Sequence, residues 1–172
     1  MAPSFRLAKA DHLSDIRSLC SKSMAYISDR LGSGLPSYAY GHLDELLEDR
    51  NLYILREDNR ILATVALREE SNCLYVDTLA VRKGEQGKGL GSQLLKEVEM
   101  IAESRGLPFV RLHTPEVMDD LVAYYRKRGY EETHRALPPH GRDLVLRVHF
   151  QKSISGSDLH MDPEHEHDRQ LA

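Results

Sequence analysis

The chain has no apolar run long enough to cross a bilayer, so a membrane-spanning helix is not expected. Its first residues, MAPSFRLAKADHL, hold no apolar core segment; no signal peptide is expected, and a cytoplasmic location follows from that reading. Cysteine is scarce. Cys20 and Cys73 fit neither metal nor redox spacing and read as buried thiols in a reducing compartment. There is no internal repeat and no basic excess. A net charge of −4 argues against a nucleic-acid surface as the main partner. What is present, 41% hydrophobic and 29% charged residues over 172 positions, suits a globular chain with one full core.

Periodicity divides the chain. A short extended start, Phe5 to Ala8, precedes a helix that Asp11 can cap, with Leu13, Ile16, Leu19, Cys20, Met24, Ile27 and Leu31 on its inner face. Gly32-Ser33-Gly34-Leu35-Pro36 breaks it, and Ser37 can cap a shorter helix carrying Tyr40, Leu43, Leu46 and Leu47. Leu52 to Glu57 and Arg60 to Glu69 read as strands joined by a tight Asp58-Asn59 turn. Ser71-Asn72 turns the chain into a third run, Leu74 to Val81. Phe109 to His113 is a further strand. Thr114-Pro115 reads as a helix start, with Val117, Leu121, Tyr124 and Tyr125 facing inward and Gly129 as the stop. Tyr130 to Arg135 and Arg142 to Phe150 close the pattern around the loop Leu137 to Gly141. Residues 151–172 are polar and are expected to be a mobile tail after a domain of residues 1–150. The order β-α-α-β-β-β-α-β-α-β-β predicts an α+β fold with one central mixed sheet.

The chemistry is densest from Leu74 to Arg105. An apolar strand leads into the turn Arg82 to Gly91. A helix follows, with Leu90, Leu94, Leu95, Val98, Ile101 and Ala102 on one face, Gly106 at its end and Pro108 beyond. Gln86-Gly87-Lys88-Gly89-Leu90-Gly91 lets backbone amides approach a ligand, the helix dipole favours an anion, and Lys88 adds a cation. The same glycines also suit a plain tight turn. A P-loop would need Lys and Ser or Thr after the second glycine, where Leu90 stands, and a dinucleotide fingerprint would need G-x-G-x-x-G at a first strand. Both fail.

Leu79-Ala80-Val81, the basic Arg82-Lys83, and Gln86-x-x-Gly89-x-Gly91 before a helix resemble the central motif of the GNAT superfamily of acetyl-CoA-dependent N-acetyltransferases. Tyr125 with Gly129-Tyr130 resembles that family's second motif, Tyr-x-x-x-Gly-Phe/Tyr, and the likeness covers about residues 4 to 150. It implies a mostly antiparallel mixed sheet, about four flanking helices and splayed central strands. It also implies that Gln86, Gly87, Lys88, Gly89, Leu90, Gly91 and Ser92 hold the CoA pyrophosphate, while the backbone of Leu79, Ala80 and Val81 pairs with the pantetheine arm. Tyr125 matches the tyrosine that protonates the departing thiolate; the plainer reading is a core aromatic. Tyr124 reads as packing. Where relatives often carry Asn or Gln, Met118 stands, which puts side-chain contacts from that helix in doubt.

The base is open. Asp77, inside an apolar run, either takes the amine proton, directly or through water, or bonds a neighbouring loop. His113 is a second candidate. Glu69 and Glu70 either guide a cationic substrate or form a solvated face. His160, His165 and His167 of the tail read as solvated rather than metal-binding, and no metal is expected. The reaction implied is acetyl transfer from acetyl-CoA to a primary amine by direct attack in a ternary complex. The acceptor, a small-molecule amine or a peptide or protein amine, would lie between Leu31–Tyr40 and Leu137–Gly141, near Tyr38, Tyr40 and His140. Neither nucleic acid nor membrane is an expected partner, and a homodimer stays compatible with the pattern. The competing class is a non-catalytic acyl-CoA-binding sensor on the same fold.

Overall fold

Among the described residues seven segments form strands, most of them alternating or apolar runs, and the periodic segments form four α-helices between them. The structure, a computed structural model, describes residues 2–32 and 40–154. In chain order the elements are β1 (Ser4–Leu7), α1 (Leu13–Leu31), α2 (Leu43–Glu48), β2 (Leu52–Glu57), β3 (Arg60–Glu69) and β4 (Cys73–Val81). There follow α3 (Leu90–Ser104), β5 (Phe109–Pro115), α4 (Asp119–Lys127), β6 (Glu131–Ala136) and β7 (Arg147–Ser153). The strands make one sheet in the order β1-β2-β3-β4-β5-β7-β6. Every neighbouring pair is antiparallel except β4 with β5.

The sheet carries an apolar cluster on each face. Leu94, Leu95 and Val98 of α3 and Val122 of α4 pack on one face, against Val65, Leu74, Val110 and Phe150. Ile16, Leu19 and Cys20 of α1 with Leu43 and Leu46 of α2 pack on the other, against Leu52, Ile54 and Ala66. Because β3 is covered on both sides, it is buried from Ile61 to Leu67 rather than alternating.

Two irregularities in β4 shape the cleft described below. Opposite β3, Ala66 pairs with Thr78 and Leu67 with Val76, so Asp77 is an extra, bulged residue. A bulge bends its strand and changes which face the following side chains use. Before it Leu74 and Val76 join the α3-side cluster; after it Leu79 and Val81 do, and Ala80 turns to the α1 side. Opposite β5, pairing covers only Cys73–Phe109, Leu74–Val110 and Tyr75–Arg111. Beyond Tyr75 the two strands part. The expected splay of the central strands is present.

Helix ends follow local chemistry in some places and not in others. Gly106 adopts φ 67° after α3. Its N–H meets the Glu103 carbonyl at 3.0 Å and that of Leu107 meets Ala102 at 2.9 Å, a Schellman close. Asp11 does not cap α1; it lies in a 3-10 turn, Ala10–His12, with His12 at the cap position. Thr114-Pro115 does not start a helix. Both residues continue β5 opposite Val148 and Arg147, so strand pairing overrides the local cap signal; α4 begins at Asp119 and Val117 is exposed. Arg142 to Leu146 is not strand, because Asp143 accepts the Val145 N–H at 3.0 Å and holds a turn there. β7 also runs past residue 150: Gln151, Lys152 and Ser153 pair with Arg111, Val110 and Phe109. Ser33 to Tyr38, with the Ser37 cap, and the tail histidines lie outside the described residues. No described helix is long and apolar enough to cross a membrane.

Leu94 is fully buried under α3. Leu94→Ala should lower unfolding free energy by about 2–5 kcal/mol, read from the urea midpoint at unchanged slope.

Candidate active site

The parting of β4 and β5 opens a cleft of about 840 Å³. Its floor is the second half of β4 and the end of β5, and its walls come from α1, α4, the start of α3 and the β6–β7 loop. Two features of the cleft ask for a ligand. The backbone groups of β4 that face β5 have no strand partner after Tyr75. The buried Thr114 hydroxyl has no hydrogen-bond partner among the described residues, although Thr114 lines the cleft.

At the α3 end, Gly89 is the cap residue with φ 83°, and no side chain caps the helix. No acidic residue sits in its first turn. The first amides of a 15-residue helix therefore remain open beside the cleft, a site suited to an anion. Gln86, Gly87, Gly89, Leu90, Gly91 and Ser92 line it. Lys88 does not. Its Nζ lies 2.8 Å from Glu85, which also pairs with Arg60, so its ammonium is ion-paired outside the cleft lining. The cation that does line this region is Arg128. Its Nε and Nη2 donate to Ser92 Oγ at 2.8 and 2.6 Å, and its guanidinium stacks 3.3 Å from the Tyr124 ring centroid. Sequence reading missed Arg128, because its place next to Gly129 marks it only as part of a helix end.

Tyr124 does more than pack. Its hydroxyl lies 3.3 Å from Ser92 Oγ, and a Cβ added at Gly91 would sit 2.8 Å from that hydroxyl. A side chain at position 91 would therefore displace the Tyr124 hydroxyl. Tyr125, one residue on, is edge-on to Tyr124 and Tyr130 and tilted against Phe150. Its hydroxyl has no hydrogen-bond partner among the described residues, and Tyr125 lines the cleft. Burial, with Tyr124 and Tyr26 nearby, pushes its pKa well above the usual phenol value, so it holds its proton across the working range.

The bulge turns Asp77 toward α2 and β3. Its Oδ2 lies 2.6 Å from His42 Nε2 and 3.1 Å from Thr78 Oγ1, and its Oδ1 lies 3.2 Å from Arg68 Nε. Burial alone would raise Asp77, but His42, Arg68 and Thr78 outweigh it and hold the carboxyl below its usual value. Reciprocally, the Asp77 hydrogen bond lifts His42 above 6.5 against the burial that lowers it. His113 differs. Its Nδ1 is bonded to the Tyr75 hydroxyl, and its ring adjoins His149, which stacks on His134. Packing pushes His113 down to about 4, with the His149 and Arg147 charges adding to the effect. Burial pushes the Tyr75 hydroxyl up to about 12, so it donates to Nδ1 and leaves the imidazole proton on Nε2, a poor arrangement for a base.

The β6–β7 side carries His140, Arg142, Asp143 and Arg147 in the cleft lining. Glu69 and Glu70 are elsewhere: Glu69 pairs with Arg105 at 2.9 Å, and Glu70 accepts from the Cys73 thiol. Cys73 is the first residue of β4 and Cys20 lies in α1; both are buried and neither lines the cleft. Among the described residues no group of His, Cys, Asp and Glu is arranged to hold a metal ion.

Comparison with known proteins now bears on this geometry. A family model described as the acetyltransferase (GNAT) family matches residues 21–130. The chain belongs to the GNAT family. One relative of this GNAT chain is the S-(2-succino)cysteine N-acetyltransferase of Bacillus subtilis (strain 168), 28% identical over 142 residues, 76% of this chain and 85% of that protein. Among solved structures, the ribosomal-protein-S18-alanine N-acetyltransferase of Escherichia coli superposes with a TM-score of 0.73 at 16% identity, covering 92% of this chain and 99% of that one. PaiA N-acetyltransferase of Thermoplasma acidophilum, solved with coenzyme A, gives 0.70 at 17% identity over 89% and 99%. These likenesses confirm the GNAT fold.

The Asp77–His42 pair has a pH signature. The raised His42 stabilises the fold below its unfolded pKa and loses that contribution as pH rises through its folded pKa. The lowered Asp77 loses its own as pH falls through its folded pKa. The pair is therefore fully effective between about pH 4 and pH 6.5. In an NMR titration Asp77→Asn should bring His42 from above 6.5 to 6.5 or below, because burial and Arg68 remain.

Proposed function

We propose that this chain transfers an acetyl group from acetyl-CoA to a primary amine, by direct attack with both substrates bound. One observation carries the reading: a single cleft joins an uncapped helix N-terminus, an unpaired strand edge and an unpartnered phenol. Acetyl-CoA supplies a thioester carbonyl for attack and phosphates as a handle. The amides from Gln86 through Gly87, Lys88, Gly89, Leu90 and Gly91 to Ser92, with the Arg128 guanidinium, would hold the pyrophosphate. The unpaired backbone of Leu79, Ala80 and Val81 would bind pantetheine as an added strand. A β4 N–H there would polarise the carbonyl.

In this reading Tyr125, which holds its proton across the working range, donates its hydroxyl toward the departing sulfur as negative charge develops there and gives up that proton as the C–S bond breaks. Asp77 stays ionised and attracts the ammonium form of the acceptor; its free-amine form attacks, and the N–H proton that becomes acidic as the C–N bond forms passes to Asp77, directly or through water. His42 and Arg68 position it. A covalent route through cysteine has little support, since burial pushes Cys20 up to about 12 and Cys73 up to about 11, away from the reactive thiolate. The Bacillus subtilis relative is named for N-acetylation, which supports nitrogen as the accepting atom.

An amine panel with acetyl-CoA, followed by thiol release, tests the reading. Turnover on at least one amine is expected; none, with CoA still bound, points to an acyl-CoA sensor. Tyr125→Phe should lower kcat about 100-fold while the Kd for acetyl-CoA changes less than about twofold. A sensor would show no such loss. The Cys20→Ala/Cys73→Ala double variant should keep its kcat, and a dead variant that still folds would contradict direct attack.

A further inference from the structure

We propose that the acceptor is a small molecule bearing a carboxylate beside its amine, held at the carboxylate by Arg142 and Arg147 and at the nitrogen by Asp77. This rests on the acetyl-transfer reading above and names the substrate class for it. Arg147, the first residue of β7, lines the cleft with a side chain only 8% exposed, and its partner Asp143 is 7% exposed. Nη1 donates to Asp143 Oδ1 at 2.9 Å and to the Val145 carbonyl at 2.6 Å, and Nη2 donates to Asp143 Oδ2 at 2.8 Å. A guanidinium has five N–H donors. Its Nε–H and the second N–H on Nη2 have no protein partner among the described residues, and Arg147 lines the cleft.

The Asp143–Arg147 pair is internally neutral, and Arg142 adds the uncompensated charge. It lines the same cleft, is exposed, and its guanidinium has no hydrogen-bond or ion-pair partner among the described residues. His140 lies close enough to both guanidiniums that, after burial, they are what push its pKa down. Two planar guanidiniums lining one cleft are matched to carboxylate oxygens. The opposite pole is Asp77, on β4, in the lining of the same cleft. A zwitterion satisfies both poles. A peptide N-terminus places a neutral amide where the carboxylate should be and a protein lysine places a methylene there, and each leaves Arg142 facing an uncharged group.

The test uses glutamate, methionine and phenylalanine, each as the free amino acid, as its α-amide and as the first residue of a tripeptide. Both kcat/KM and calorimetric binding to the CoA-loaded protein are measured. The free acid should exceed its amide and its peptide by about tenfold or more, and Arg142→Gln should bring the acid-to-amide ratio close to unity. Acetyl-CoA binding by the variant reports that it is folded. Equal use of acid and amide, preference for the peptide, or an Arg142→Gln loss equal on both would overturn the proposal. If no amine is acetylated yet only the acids bind, the transfer reading fails and the carboxylate site stands. If the acids do not bind either, the carboxylate site falls as well.

Discussion

The parting of β4 from β5 is the constraint on which the rest depends. Two parallel strands that pair at only three positions leave backbone polar groups inside the molecule without partners. The sheet tolerates this because β4 is held firmly on its other side, by β3, as far as Val81. The bulge at Asp77 supplies the bend. It also exchanges the faces of the strand, so Leu79 and Val81 anchor β4 to α3 while Asp77 is left free to meet His42 and Arg68. One inserted residue thereby creates the slot and places a charge in it.

Charge is divided along the slot. Next to α3 lie open helix amides and Arg128, the surroundings an anionic phosphate needs. Midway stand Tyr125 and Asp77, one kept protonated by burial and the other kept ionised by its cationic neighbours. The proposed transfer draws on these two opposite protonation states in one cleft. On the β7 side the buried Asp143–Arg147 pair fixes the wall, and Arg142 leaves it positively charged.

Much of this was legible in the sequence, for physical reasons that differ by element. β2 and β3 were readable residue for residue because the Asp58-Asn59 turn fixes both ends. The helix α3 showed its full face and its Gly106 close. Thr114-Pro115 misled, since a hydroxyl followed by proline is a good local helix start, while pairing with β7 is a distant interaction that local chemistry does not display. The polar stretch Gln151 to Ser153 misled in the same way: composition suggests a tail, but the ladder with β5 makes it sheet. In the site, the motif spacing led to Tyr125 and to the glycine loop. Arg128 was invisible because its partner Ser92 is brought near only through folding, and the Asp143–Arg147 pair, local in sequence, was invisible because its burial in the cleft wall depends on where β7 packs. Lys88 was visible, but the pairing of its side chain with Glu85 depends on the shape of the turn.

The central claim is that the unpaired edge of β4 and the open amides of α3 together receive the cofactor. Backbone amide hydrogen exchange with and without CoA measures this directly. Slowed exchange concentrated at Leu79–Val81 and Leu90–Ser92 is the predicted result. Saturating CoA binding that leaves both segments unchanged, with protection elsewhere, would contradict the account.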